Sequence, residues 1–281
     1  MIPISGKTRI FPVIGWPVEQ VKAPAIYNAY FSQKGIDAVC VPMRVPPTEY
    51  ASFVRSMMSA SNVGGICVSI PHKPASVSVA DVSTRVARVA GAANAIYRNG
   101  KGEVVADLID GEGFVRALDR TAQPLGFPYA QSSALIVGCG GVGCAIAAAL
   151  AERGIAALCL VDVNTDFVEQ LATRLRAHYP ALTISLHNYE VGEFDLLVNG
   201  TPLGMTPGDA MPFSVDAAKP SAIIADCGMK TEMTELLQAA AVRGLRIQKG
   251  KEMLFEQAPL YMERFGWPNT TADEFRALGV L

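Results

Sequence analysis

Short apolar runs alternate with longer segments in which apolar positions return every three or four residues, and this alternation continues through most of the chain. In the first part, strands are predicted over 8–15, 38–43 and 65–70, with helices over 24–34 and 47–59 between them. The first helix opens on Pro24, whose fixed backbone angle suits a first turn. A more polar stretch follows. In it, 93–97 and 103–107 flank Asn99-Gly100-Lys101-Gly102, which reads as a β-hairpin added at a sheet edge. A helix is expected to begin near Phe114. From Ser132 onward the strands are 133–137, 157–161, 182–185, 195–198 and 222–226, with helices over 144–153, 167–177 and 234–243, the last ended by Gly244. The segment 251–265 has helical character and can return to the first domain. Strands alternating with helices of this length imply an α/β protein with mostly parallel sheets covered on both faces, and a six-stranded doubly wound arrangement in the second part.

The apolar strand 133–137 runs straight into Gly138-Cys139-Gly140-Gly141-Val142-Gly143 and then into a helix-favouring segment. That is the context in which a glycine cluster binds a dinucleotide. Gly138 permits the tight turn, Gly140 allows close backbone approach to a pyrophosphate, and Gly143 lets helix and strand pack together. The helix N-terminus presents free N–H groups and a partial positive charge to the phosphate. The next strand ends in Asp162, at the spacing where an acidic side chain accepts hydrogen bonds from ribose hydroxyls.

Composition narrows the function further. Half the residues are hydrophobic, 18% are charged and the formal net charge is -2, with no long basic run, which argues against nucleic acid as a partner. The first residues lack the layout of a signal peptide and no uninterrupted apolar stretch reaches membrane-spanning length, so no membrane association is expected. The six cysteines form no C-x-x-C pair and read as reduced thiols of a cytoplasmic protein. His72, His178 and His187 make no metal constellation with them, and no metal is expected.

Two charged residues outside the glycine cluster suggest chemistry. Lys73 follows the end of a buried strand, where ligands of open α/β sheets collect, and Asp110 lies at the expected domain junction. A lysine and an aspartate facing one cleft suit proton transfer coupled to hydride transfer. From position alone, a lysine snorkelling at a strand end and an aspartate capping a helix are the favoured account of them.

The distribution of motifs resembles the shikimate/quinate dehydrogenase family over nearly the whole length. The matching pieces keep the family's order: Gly15-Trp16-Pro17 with Lys22-Ala23-Pro24 and Asn28; Val68-Ser69-Ile70-Pro71-His72-Lys73; Gly91-Ala92-Ala93-Asn94; Asp107-Leu108-Ile109-Asp110-Gly111; the glycine cluster; 199–205; and 250–258. The resemblance implies a two-domain enzyme, with a substrate domain over 1–112 plus 254–281 and a Rossmann domain over 113–253. It implies reversible NAD(P)-dependent oxidation of a ring hydroxyl on shikimate or a related cyclic hydroxy acid. By position, Lys73 and Asp110 become the proton-transfer pair. Ser69, Asn94 and Gln257, with Val21 and Ala23, face the substrate. Gly138, Gly140, Gly141, Val142, Gly143, Asp162, Asn199, Thr201, Cys227 and Gly250 face the cofactor. Monomer and homodimer remain open.

The departures from the family cluster where the substrate would lie. Family members commonly carry two serines whose hydroxyls hold the substrate carboxylate; this chain has Val21 and Ala23. Cys67 stands for an asparagine, Ala95 for a threonine, Leu108-Ile109 for Asn-Thr and Met229 for a tyrosine. Each change removes a hydrogen-bonding group, so an altered substrate is expected, with quinate or an aminated analogue as alternatives to shikimate. A non-catalytic NAD-binding metabolite regulator is the alternative of a different class. NADP-using members commonly place Asn-Arg-Thr after the second strand; Asp162-Val163-Asn164 replaces it, and a carboxylate repels a 2′-phosphate. NAD is therefore expected in preference to NADP.

Overall fold

The structure, a computed structural model, describes residues 4–206 and 208–280. It separates into two compact units, Met1–Ile109 with Gln257–Leu281, and Asp110–Glu256.

The N-terminal unit begins with β1 (Arg9–Gly15), α1 (Ala23–Lys34), β2 (Ala38–Arg44), α2 (Tyr50–Ser59) and β3 (Ile66–Val68). It continues through α3 (Lys73–Val79), β4 (Val82–Ser83), α4 (Arg85–Ala90), β5 (Ala95–Arg98) and β6 (Val104–Asp107). The strands form one sheet in the order β2-β1-β3-β5-β6-β4. β1 pairs parallel with both β2 and β3, and β5 pairs antiparallel with β3 and β6. The hairpin expected at the edge is therefore internal to it: β4 lies outside β6 and pairs with it in parallel. The segment 73–90 concealed these elements because each is one or two turns, or two residues, long, below the length at which periodicity is readable. Phe11, Val13 and Ile14 of β1 are buried, and the core beside the strand is filled by Tyr50, Val54 and Met58 of α2 with Ile66, Val68 and Ile96.

The C-terminal unit runs α5 (Asp110–Thr121), β7 (Ser133–Val137), α6 (Gly141–Glu152), β8 (Ala157–Val161), α7 (Thr165–His178) and β9 (Thr183–Leu186). Then come β10 (Leu196–Asn199), β11 (Ile223–Asp226), α8 (Glu235–Val242), β12 (Arg246–Gln248) and the start of α9 (Gly250–Arg264). All six strands are parallel, in the order β12-β11-β10-β7-β8-β9, a doubly wound Rossmann sheet. Its sixth strand escapes a pattern search because only Gln248 of its three residues is buried. The first helix starts at Asp110, a turn earlier than the apolar positions indicate. A Cβ on Gly111 would come 2.1 Å from the Ala145 carbonyl oxygen, so α5 and α6 pack with their backbones close there. The remaining helix α10 (Ala272–Arg276) belongs to the N-terminal unit and opens with a Thr271/Glu274 capping box.

Candidate active site

The chemistry collects at the C-terminal ends of the parallel strands in each unit, as open α/β sheets favour. In the C-terminal unit, Gly138 leaves β7 with φ of 95°, and its backbone runs against Thr201: an added Cβ would stand 2.6 Å from the Thr201 nitrogen. Gly143 is packed harder still, since a Cβ there would meet the Gly138 carbonyl oxygen at 1.8 Å. Gly140 differs from both. Nothing lies within 4 Å of its notional Cβ, so the protein itself does not require a glycine at that position. Gly140 is the N-cap of α6, and Gly141, Val142 and Gly143 form its first turn. Their backbone N–H groups sit at the positive end of the helix, where a pyrophosphate is stabilised. The residues present fit a dinucleotide.

Asp162 follows β8 and braces this loop. One carboxylate oxygen accepts the Cys139 N–H at 2.6 Å, and the other accepts the Asn164 N–H at 2.9 Å. Each oxygen keeps a further lone pair for a ribose hydroxyl. Val163, the next residue in the chain, is fully exposed.

Asn199 ends β10 and is wholly buried. Its Oδ1 accepts the Thr201 N–H at 2.9 Å and the Thr201 hydroxyl at 2.7 Å, while its Nδ2 donates to the Leu203 carbonyl and the Asp226 carboxylate. Both functions of the amide are thus used inside the protein, and Asn199 shapes the loop rather than offering its side chain outward. Asp226, at the end of β11, also accepts the Thr234 hydroxyl and the Gly228 N–H, both at 2.8 Å. The loops after β10 and β11 and the start of α8 are thereby tied to one buried carboxylate. Cys227 follows it. Burial raises its thiol pKa, and the Asp226 and Asp110 carboxylates raise it further. Asp110 itself is buried at the first turn of α5. Gly250 opens α9, and a Cβ on it would stand 2.4 Å from the Gly228 carbonyl.

In the N-terminal unit, Ser69 follows β3 and Lys73 is the first residue of α3. The turn between them is anchored from below. The His72 imidazole stacks face to face on Tyr50, with ring centroids 4.3 Å apart, and its Nε2 meets the Val45 carbonyl at 2.9 Å. Burial lowers the His72 pKa, an effect partly offset by that carbonyl. Burial also pushes the Tyr50 hydroxyl up to about 12, less a small opposing effect from its 2.5 Å bond to Ser76. The Ala93 N–H donates to the Lys73 carbonyl at 2.8 Å, which brings the lysine turn beside Asn94.

Asn94 is buried. Its backbone carbonyl accepts from the Val68 N–H and from the Tyr261 hydroxyl at 3.1 Å, and its Oδ1 accepts the Ile109 N–H at 2.8 Å. Gln257 lies one helical turn before Tyr261 on α9 and is 5% exposed. Val21 and Ala23, half-buried, lead into and begin α1. Beyond this group, Asp107 accepts from Thr84, the Leu108 N–H and Arg264, a buried network that holds the end of β6 just before Asp110 in the chain.

The predicted residues thus form two groups, one at the strand ends of each unit. Away from both, a cavity of about 700 Å³ opens at the N-terminal ends of β7, β10, β11 and β12, lined by Gln123, Leu125, Phe127 and Arg246 among others. It contains none of the predicted site residues. Among the described residues no group of three or more His, Cys, Asp and Glu could hold a metal, and no helix is long and apolar enough to cross a membrane.

The family described as "Shikimate dehydrogenase substrate binding domain" matches residues 13–96. A shikimate dehydrogenase (NADP(+)) of Geobacter metallireducens is 35% identical over 261 residues, 90% of each chain. The chain belongs to the shikimate dehydrogenase family. Among solved structures, the shikimate 5-dehydrogenase of Listeria monocytogenes in complex with shikimate and NAD superposes with a TM-score of 0.88 at 24% identity, covering 98% of this chain and 97% of that one. The ligand-free 5-ketofructose reductase of a Gluconobacter strain gives a TM-score of 0.87 at 22% identity, covering 98% of each. At these identities the two structures share the shikimate dehydrogenase fold with this chain.

Several supporting roles are not evident from the sequence, although His72 and Asp107 stand inside two of the motifs. His72, Tyr50, Tyr261, Thr234 and Asp107 act through neighbours distant in the chain. The one local signal was Asp226 at the end of an apolar strand, a position at which a carboxylate must find donors nearby.

Proposed function

We propose that the protein is an NAD-preferring dehydrogenase of the cytoplasm that interconverts a secondary hydroxyl and a ketone on a shikimate-type ring compound, shikimate itself or a relative. One observation carries the reading: open space stands at Gly140, at the N-terminus of α6, with Asp162 bracing the same loop from the end of β8. Gly138, Gly140, Gly141, Val142 and Gly143 would hold the pyrophosphate through backbone groups, Asp162 would take the ribose hydroxyls, and the Thr201, Cys227 and Gly250 backbones would border the nicotinamide. The bound nucleotide supplies the hydride acceptor or donor.

The protein's part is proton handling and alignment. Lys73 would accept, directly or through water, the proton leaving the substrate hydroxyl, and Asp110 would orient the ammonium group and balance its charge. Asn94 and Gln257 would hydrogen-bond neighbouring hydroxyls and fix which carbon reacts, with Ser69 adding a further hydroxyl contact. The preference for NAD rests on charge: Asp162 at hydrogen-bonding distance from a ribose repels a 2′-phosphate, and the adjacent position is Val163 in place of a guanidinium.

Initial rates of nucleotide reduction with shikimate and quinate test both parts. Turnover is expected, with higher kcat/KM for NAD than for NADP. A higher value with NADP would overturn the cofactor preference alone. Firm NADH binding with no turnover of any ring alcohol would overturn the dehydrogenase.

A further inference from the structure

Helices α1 and α9 meet rung by rung. Ala23, Tyr27 and Phe31 recur every fourth residue on one, and Gln257, Tyr261 and Phe265 do so on the other, so each triplet lines one helix face. Tyr27 meets Tyr261 edge-on at 6.1 Å, and Phe31 and Phe265 both pack on Phe11, at 5.8 and 5.0 Å. The rungs match in the same order, so the helices run in parallel and Ala23 and Gln257 share the next rung toward their N-terminal ends. The Tyr261 hydroxyl then links this rung to Asn94.

Two polar side chains at this place have unused amide atoms. Gln257 is 5% exposed and Asn94 is 2% exposed, yet the Gln257 amide and the Asn94 Nδ2 make no hydrogen bond to any described residue. Amide atoms with unused hydrogen-bonding capacity are equipped to meet ligand hydroxyls.

The wall beside them is of the opposite character. Val21 and Ala23 present only hydrocarbon, and Cys67, Leu108 and Ile109 are buried. Arg44 stands at the end of β2, the edge strand, three strand positions from β5. Its guanidinium lies over the Trp16 ring at 4.6 Å and pairs with Glu19 at 3.3 Å. Lys22 is exposed. A carboxylate brought against Val21 and Ala23 would lose water and gain no donor from those two side chains, whereas a neutral group there loses less hydration.

We infer that the site takes a polyhydroxylated alcohol or ketone that is uncharged where it meets Val21 and Ala23. The inference rests on the dehydrogenase reading above and names, within it, the substrate class: neutral hydroxy compounds rather than ring acids.

The test is a matched pair, shikimate and its methyl ester, which carry the same ring hydroxyls and differ in charge only at the carboxyl group. With the full-length enzyme and saturating nucleotide, kcat/KM for the ester is expected to equal or exceed that for the acid. The double substitution Val21→Ser with Ala23→Ser is expected to shift the ratio toward the acid by roughly tenfold or more, as a restored hydrogen-bonding subsite would. A wild-type preference for the acid of tenfold or more would overturn the inference and leave the dehydrogenase reading standing. So would a double variant that melts and binds NADH as the wild type does but leaves the ratio unmoved. Turnover of neither compound by wild type, with NADH bound, would remove the shikimate-ring reading and this inference together.

Discussion

The proposed cofactor edge of the C-terminal unit is made of backbone, and the proposed substrate edge of the N-terminal unit is made of side chains. At the first, the side chains of Asn199, Asp226, Thr234 and Thr201 bond to one another, leaving glycine N–H groups and open space facing outward. At the second, Asn94 and Gln257 keep amide atoms unused while Val21 and Ala23 offer none. A backbone site is constrained by sterics, so its glycines and the loops that clamp them must be kept together. A side-chain site changes its ligand by replacing one hydroxyl with a methyl group, at no cost to the fold. The family's fingerprint is accordingly intact here, and its departures lie almost entirely on the other edge.

The contrast can be broken most directly at Lys73. Lys73→Ala is expected to lower kcat by about 10²–10⁴-fold, the usual contribution of a positioned acid–base group, while leaving the NADH dissociation constant unchanged. Turnover equal to wild type would remove the lysine from the mechanism and make the substrate edge merely a binding surface.

The next effect in size concerns Asp162, the one side chain the cofactor edge is proposed to use. Asp162→Ser is expected to reduce kcat/KM with NAD by roughly 10- to 100-fold, the worth of hydrogen bonds to a charged group at about 1.5–3 kcal/mol, and to raise it with NADP. Because the carboxylate also holds the Cys139 N–H, a fall with both nucleotides would mean that it serves the loop alone.

Two glycine substitutions separate sterics inside the protein from sterics against a ligand. Gly140→Ala has room and is expected to keep unfolding stability within about 0.5 kcal/mol of wild type. It should nevertheless weaken NADH by about tenfold, about 1.4 kcal/mol. Gly143→Ala forces a Cβ into the Gly138 carbonyl and is expected to destabilise the fold by at least about 1–3 kcal/mol. Equal stability loss in both, by urea denaturation, would show that Gly140 is a structural glycine and not a cradle.

The smallest expected effect is a pH dependence beneath the substrate edge. The His72 pKa is lowered in the folded chain by burial, so its contribution to stability is complete above its ordinary value near 6.5 and is lost as pH falls through the folded value. The Tm of wild type should therefore fall more between pH 7.5 and 5 than that of His72→Gln. Parallel curves would mean that the ring tolerates its charge against Tyr50.

Local pattern was sufficient for what depends on neighbours in the chain. The strand–glycine–helix unit at 133–152, the alternation that builds two parallel-stranded layers and the acidic residue closing β8 all follow from periodicity and spacing. Residue type shows that Val21 and Ala23 carry no hydroxyl, and the family resemblance implies that serines would stand there. The two-residue strand β4, which displaced the hairpin from the sheet edge, and the three-residue β12 were not legible, because they exist only through pairing with β6 and β11. The same limit governed the site. Nothing near Asn94 in the chain shows that Tyr261 holds its carbonyl, and nothing near Tyr261 shows that Tyr27 meets its ring. Residue type decided which groups could do chemistry. Tertiary packing decided which of their hydrogen bonds were consumed inside the protein and which remained for a ligand, because a buried amide is committed or free according to partners that only folding brings within reach.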